Sequence, residues 1–340
     1  MQTTFAPLTA LTSGLAFVHA ASPQAAEQQA RALGLSPLGG LSPGPAPIGC
    51  HAPWLALQMP VLAGHALSCQ LWCLPGPTET WERTSDTGIR LRACVAKEGL
   101  FLVAEATVNA PMATQSRHLY TELLSALRSS HHPHPLRFWN YLGDIHGTQE
   151  GEERYRLFNQ GRREAMQTLG YTVTEGAPAA CALGCAEGLL RAAVLAGPRP
   201  PRAIENPRQV SAYHYPPRYG AMPPVFSRAA LLATTPGRGL LLVSGTASIV
   251  GHQSLHEGDV QAQTDEALRN IAALLTRGGP NARLADLSGR VYLRHGADAA
   301  AVLQRLSAQG VQHLSLLQAD ICRQELLVEI EAEGWVNHAS

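Results

Sequence analysis

The run Leu326-Leu327-Val328-Glu329-Ile330-Glu331, near the end of the chain, constrains the fold most. Side chains alternate along a strand, so Leu326, Val328 and Ile330 share one face, and Leu327, Glu329 and Glu331 share the other. Two carboxylates on one strand face need either water or chemistry. Water gives a half-exposed strand with a solvated acidic face. Chemistry gives a carboxylate beside a second polar group, and Cys322 lies seven residues before Glu329. A carboxylate near a thiol is a setting for an acid catalyst. The spacing leaves both readings open.

The chain has 340 residues, enough for a sizeable core and two domains. Hydrophobic residues make up 45% and charged residues 15%, the balance of a globular protein rather than a disordered or fibrous one. Lys+Arg and Asp+Glu both total 26, so the net charge is zero. That balance argues against bulk nucleic-acid or membrane-surface binding and leaves room for a local basic pocket. No apolar run reaches the length of a membrane span. Residues 1–21 have no basic stretch before their weak apolar run, so a secretory leader is not expected.

Seven cysteines is an odd count. Cys69/Cys73 and Cys181/Cys185 each enclose three residues, unlike the two-residue spacing of a zinc knuckle or redox pair. His131, His132 and His134 sit beside Pro133 and Pro135 and read as loop residues, so no metal site is expected. A reduced, cytoplasmic protein fits this usage.

Punctuation by Gly and Pro divides the chain into an N-terminal segment and linker (1–60), an α/β domain (61–200) and a C-terminal catalytic domain (201–340). Residues 35–53 read as a Gly/Pro/Ser-rich loop. Residues 89–93, 100–106 and 138–141 read as strands, and 118–127 and 151–169 as helices. Residues 170–197 hold two more strand-like runs. The plan returns more clearly in the second half. A strand at 239–245 and a turn-rich loop at 246–259 precede a helix striped by Val260, Thr264, Ala267, Leu268, Ile271, Leu274 and Leu275. Gly278-Gly279-Pro280 stops that helix. A strand at 287–293, a helix at 297–309 and the strand of Glu329 follow. The expected fold class is α+β: mixed sheets with helices packed on one face, internally duplicated.

The C-terminal half resembles the Rid/YjgF fold. Leu242-Val243-Ser244-Gly245-Thr246, Gln263-Thr264 with Asn270-Ile271, Val291-Tyr292-Leu293-Arg294 and Val328-Glu329-Ile330-Glu331-Ala332 carry that resemblance in order. It implies that Glu329 projects into a cleft between sheets. Rid deaminases use an arginine shortly before this strand, and residues 312–318 contain none, which argues against imine deamination.

A longer pattern resembles the chorismatase family across roughly residues 90–335. Its motifs are Arg137-Phe138-Trp139-Asn140-Tyr141, Glu153-Arg154-Tyr155 with Phe158 and Gly161-Arg162, and Asn206-Pro207-Arg208-Gln209-Val210-Ser211-Ala212-Tyr213. Phe226-Ser227-Arg228-Ala229 and Ser244-Gly245-Thr246-Ala247-Ser248-Ile249-Val250-Gly251-His252 complete it. The resemblance implies release of pyruvate from chorismate without a cofactor. The ring product is 3-hydroxybenzoate, 4-hydroxybenzoate, a mixture of the two, or a cyclohexadiene diol.

Cleavage of an enol ether begins with protonation of carbon, which needs a positioned acid whose pKa is raised by burial or by a like charge. Glu329 is the expected acid, with Glu331 on the same face as a tuning or merely accompanying carboxylate. By resemblance, a cysteine at the position of Cys322 goes with the hydroxybenzoate-forming members, and Ala247 lines the ring pocket. The substrate's two carboxylates need cations, and Arg154, Arg162, Arg228 and Arg294 are the candidates. Tyr213 and Tyr215 flank His214 and so would share one face, offering a phenol to the substrate. Trp139 and Tyr141 read as core. The partners implied are chorismate, no nucleic acid and no membrane, in a monomer or homotrimer. The competing classes are a Rid-like imine hydrolase and a non-catalytic binder on the same scaffold.

Overall fold

The structure, a computed structural model, describes residues 14–107, 109–185, 188–235, 237–279 and 281–337. Pro280, expected to help end a helix, lies outside the described residues. The α+β reading holds, and the internal repetition is visible in the sheet topology.

The middle sheet starts with a meander of strands Glu79–Thr84, Arg90–Ala96 and Gly99–Thr107. Helix Met112–Arg128, strand His134–Gly143, helix Arg154–Thr168 and strands Ala179–Cys185 and Leu189–Gly197 follow. The last strand inserts between Gly99–Thr107 and His134–Gly143. The C-terminal sheet repeats this step for step. Strands Arg202–Ile204, Ala229–Thr235 and Arg238–Ala247 form its meander, and Val328–Asn337 inserts between Arg238–Ala247 and Ser288–Leu293. Helix Val260–Gly278 precedes strand Ser288–Leu293. Helix Ala299–Ala308 bridges to His313–Gln318, which pairs parallel with Ser288–Leu293, as His134–Gly143 pairs with Ala179–Cys185. A parallel pair needs a crossover, and in both copies a helix supplies it. Strand His313–Gln318 was not expected from the sequence.

Residues 35–53 are not a loop throughout. Strand Ser36–Ser42 runs inside them and belongs to a third, shorter sheet with Ala16–Ala20, Trp54–Ala56 and Cys69–Leu74. Its order repeats the plan again, with the last strand inserted between the first and second. The glycines that suggested turns serve close approach instead. A Cβ on Gly39 would enter the ring of Phe101, and one on Gly40 would meet Trp54 and the Gln70 carbonyl. Two further expectations are corrected nearby. The turn-rich stretch at 246–259 holds a small hairpin, Ile249–Val250 with Gln253–Ser254. His134 opens a strand rather than lying in a loop.

Helices cover the outer faces. Leu119, Leu123 and Phe158 pack on Phe138 and Leu142 of the middle sheet, and Ile271 and Leu274 pack on Val243 and Ile330 of the C-terminal one. The inner faces of all three sheets meet in one core, where Leu38, Trp72, Phe101, Trp139, Leu242 and Tyr292 are fully buried.

That convergence overturns the solvated reading of the acidic strand. Val328, Ile330 and Ala332 face the helices, while Glu329, Glu331 and Glu333 are also buried. Glu331 accepts from Arg137 Nη2 at 2.7 Å, Arg290 Nε at 2.6 Å and the Tyr292 hydroxyl at 2.8 Å. Glu333 lies 3.7 Å from Arg137 and 3.2 Å from His19, and Arg290 also donates to Gln70 at 2.9 Å. The network thus draws on all three sheets. Buried pairs of this kind add little net stability, but stripping one partner leaves an uncompensated charge and costs about 3–5 kcal/mol.

Candidate active site

Strand pairing places Glu329 between Ala247 on one side and Tyr292 on the other. The register of Arg238–Ala247 slips between Val243 and Thr246, where Ser244 and Gly245 form an irregularity. Gly245 is required there, because a Cβ would collide with Glu329 Oε1 and approach Cys181. Ser244 fixes the same point. Its hydroxyl donates to the Ser227 carbonyl at 2.6 Å and accepts from the Ala180 amide at 2.9 Å. The edge strand of the middle sheet is thereby stitched to the C-terminal sheet, and the site opens at this seam.

A cavity of about 490 Å³ reaches Glu329, Cys322, Gly245 and Ala247 at its floor. A small chamber of about 40 Å³ shares Glu329, Cys322, Tyr155 and Phe226 and extends to Arg162. Glu329 and Cys322 stand at the junction of the two spaces.

Glu329 is 3% exposed, and burial, with the charge of Glu331 second, raises its carboxyl pKa to about 8. Burial pushes Glu331 in the same direction, but Arg290 and Arg137 outweigh it and hold Glu331 down at about 2. The two carboxylates on one strand face therefore differ in state at neutral pH: Glu329 carries its proton and Glu331 does not. Cys322 is driven up to about 12, first by burial and then by Glu329, so it is a neutral thiol.

The cations divide unequally. Arg162 is buried under the rings of Tyr120 and Phe138, and its Nε and Nη2 have no hydrogen-bond partner among the described residues. Arg228 donates from Nη2 to the Val210 carbonyl at 2.8 Å and to the Tyr215 hydroxyl at 2.7 Å, leaving Nε unpartnered. Arg228, Tyr215 and Ala247 line the large cavity.

Three expected residues lie elsewhere. Arg154 donates its Nε to the Gly143 carbonyl at 3.0 Å and is not part of either cavity wall. Arg294 is consumed by its own surroundings: it pairs with Asp320 and donates to the carbonyls of Leu326 at 3.0 Å and Arg323 at 2.9 Å. It pins the segment carrying Cys322 rather than facing the cavity. Tyr213 is buried edge-on against His214, because residues 212–214 form a 3-10 turn. Strand alternation does not apply there, so Tyr213 and Tyr215 part company. Glu331 and Leu327 also stay out of the cavity walls, despite sharing the strand face inferred for Glu329.

Several wall residues were not foreseen. Tyr155 and Phe226 fell within the motifs but were not read as site residues. Arg156, Arg218, Tyr219 and Arg323 had no signal beyond their types, although Arg323 directly follows Cys322. Arg156 is already paired, to Glu152 at 3.1 Å and Glu153 at 3.3 Å. The arrangement is a protonated carboxyl in a buried recess, a neutral thiol beside it and guanidinium donors left open. It can deliver a proton to an anionic substrate.

Comparison with known proteins places the chain in a family. The family model described as chorismatase FkbO/Hyg5-like, N-terminal, matches residues 71–196. A chorismatase of Streptomyces rapamycinicus is 35% identical over 287 residues, 77% of this chain and 80% of that protein. A 3-hydroxybenzoate synthase of Streptomyces hygroscopicus is 37% identical over 231 residues, 64% of this chain and 68% of its own. A crystal structure of a chorismatase superposes with a TM-score of 0.79 at 30% identity, covering 96% of this chain and all of the other. With the architecture matched end to end and a relative aligned over four-fifths of its length, the chain belongs to the chorismatase family.

Proposed function

We propose that this protein cleaves chorismate, without a cofactor, into pyruvate and 3-hydroxybenzoate, and that Glu329 is the acid that starts the reaction. The observation that carries the reading is a buried, protonated carboxyl where a cavity and a chamber meet, with open donors on Arg162 and Arg228 around it.

Chorismate presents two carboxylates, a ring hydroxyl and an enolpyruvyl ether. The guanidinium forks of Arg162 and Arg228 suit the carboxylates. Glu329 delivers its proton to the methylene carbon of the enol ether, and positive charge develops at the ether-bearing carbon. The neighbouring ring hydroxyl then displaces pyruvate at the ring carbon and closes to an epoxide. It gives up a proton that balances the one delivered. Opening of the epoxide and transfer of one proton from ring carbon to oxygen leave an aromatic acid, and no water is consumed. Cys322, a neutral thiol, shapes the ring side of the site and donates weakly there. Ala247 puts a methyl group on the same wall and crowds out water.

Incubation with chorismate, followed by chromatography and mass analysis, tests the reading. Pyruvate together with 3-hydroxybenzoate is expected. Pyruvate with a cyclohexadiene diol would reassign the attacking group to water, 4-hydroxybenzoate would reassign the ring position, and absence of both pyruvate and ring product would refute chorismate cleavage. The same proposal includes a monomer in solution, supported by the three sheets already covering one another's inner faces. Sedimentation at a trimer's mass would refute that part.

A further inference from the structure

Arg323 lines the large cavity beside Cys322, and the proton-transfer chemistry does not use it. Arg323 sits in the irregular stretch 319–327, between strands His313–Gln318 and Val328–Asn337. Its Nη1 donates to the His252 carbonyl at 3.0 Å and to Ser254 Oγ at 3.0 Å, both at the small hairpin of residues 249–254. Its guanidinium carbon lies 4.0 Å from the ring centre of Tyr219 and 5.2 Å from that of Tyr215, on the separate segment 215–219. One side chain therefore ties two mouth segments to the loop that carries Cys322. Arg218 adds a direct contact between the same two segments, 2.8 Å from His252 Nδ1.

The tie is incomplete. Arg323 Nη2 is buried and has no hydrogen-bond partner among the described residues, although the residue lines the cavity. A buried cationic donor left open is costly, so the site is arranged for an acceptor. Nearby carboxylates do not supply one. Glu325 accepts from Ser254 at 2.7 Å, and Glu152 and Glu153 pair with Arg156. Arg323 forms no ion pair with any described carboxylate.

We propose that Arg323 is a carboxylate clamp: the substrate carboxylate held by Arg228, which like Arg323 lies against the Tyr215 ring, also takes the open Nη2 and, through Nη1 and the two tyrosine rings, steadies segments 215–219 and 249–254 at the cavity. Binding then steadies two segments that Arg323 already joins. The inference rests on the reading that the substrate is an anionic carboxylate of the chorismate type. It makes Arg323 a specificity-determining residue, because a neutral analogue leaves the buried Nη2 without an acceptor.

The test uses chorismate on the full chain. In a Glu329→Gln background, which binds without turnover, calorimetry compares Arg323, Arg323→Gln and Arg323→Lys. Loss of the charged hydrogen bond is expected to raise Kd about 10- to 100-fold in Arg323→Gln. Arg323→Lys keeps the charge without the fork and guards against a variant that merely misfolds. It is expected to bind more tightly than Arg323→Gln but not to restore the added protection of the two segments. That steadying is read by amide hydrogen exchange: chorismate should add protection to residues 215–219 and 249–254 in the parent and in neither variant. Unchanged Kd with protection intact in both variants overturns the clamp. Pyruvate release by the wild type is measured alongside. Its absence overturns the substrate reading and the clamp with it, whereas normal turnover with an unchanged KM in Arg323→Gln overturns the clamp alone.

Discussion

Replacing Glu329 with Gln is expected to abolish turnover and, unusually for an active-site change, to stabilise the fold. The carboxyl is raised from 4.5 to about 8 by burial and then by Glu331. Its folded pKa lies above its unfolded one, so the folded chain holds a proton that the unfolded chain releases. The sign follows: the stability present below pH 4.5 is lost as pH rises toward 8. At about 1.4 kcal/mol per unit, the loss is about 1 kcal/mol at pH 5, about 3 at pH 7 and levels off near about 5 above pH 8. Gln has the same shape and cannot ionise, so the variant escapes the loss. Urea denaturation of both proteins at pH 5, 7 and 8.5 measures it, with the midpoint of the variant moving further above that of the wild type as pH rises. A stability difference that stays flat with pH would refute the raised pKa. Near-wild-type pyruvate release by the variant would remove Glu329 as the acid.

Other expectations follow from the same geometry. Since Glu329 must carry its proton to act, kcat of the wild type should hold level through neutral pH and fall above an apparent pKa near 8; a profile that rises through that range would mean the carboxylate is the active form. Gly245→Ala pushes a methyl group into Glu329 Oε1 while leaving the backbone conformation accessible, so kcat should drop about 100-fold with cooperative unfolding retained. Steady-state kinetics beside a denaturation curve would expose a variant that is merely unfolded. Cys322, at about 12, exposes roughly a thousandfold less thiolate than an ordinary cysteine, so iodoacetamide at pH 8 should label it far more slowly than a free thiol, as mass spectrometry can follow. Cys322→Ala should keep pyruvate release and shift the ring products away from 3-hydroxybenzoate; an unchanged product ratio would leave the thiol a packing role only.

The strands and helices that carry the site were legible because their signals are local. The stripe Ala267, Ile271 and Leu274 on one helix and the apolar/basic alternation of residues 89–93 report their own elements without help from the rest of the chain. Glu329, Cys322, Arg228, Arg162 and Ala247 came from ordered motifs and Tyr215 from alternation around His214, and the structure sets them around adjoining spaces. Strand alternation held for Glu329 but failed at residues 212–214. Tyr213 parted from Tyr215 once their segment turned out to be a 3-10 turn. Arg154 and Arg294 had suitable chemistry, but backbone carbonyls 11 and 32 residues away had already claimed them.

Alternation along Val328–Asn337 determined which residues face together, but not what that face meets. Only the packing of three sheets decided that Glu331 and Glu333 would meet Arg137, about two hundred residues earlier in the chain, and His19, more than three hundred earlier. The same packing converted glycines 39 and 40 from apparent turn residues into clearance for Phe101 and Trp54. Periodicity is a property of one strand, whereas burial is a property of whatever covers it. The sequence by itself determined that Glu329 and Glu331 would share a strand face opposite Val328 and Ile330. The tertiary structure decided that Glu329 would be buried and protonated, with open donors of Arg162 and Arg228 lining the adjoining spaces, because burial and charge pairing both come from residues remote in the chain.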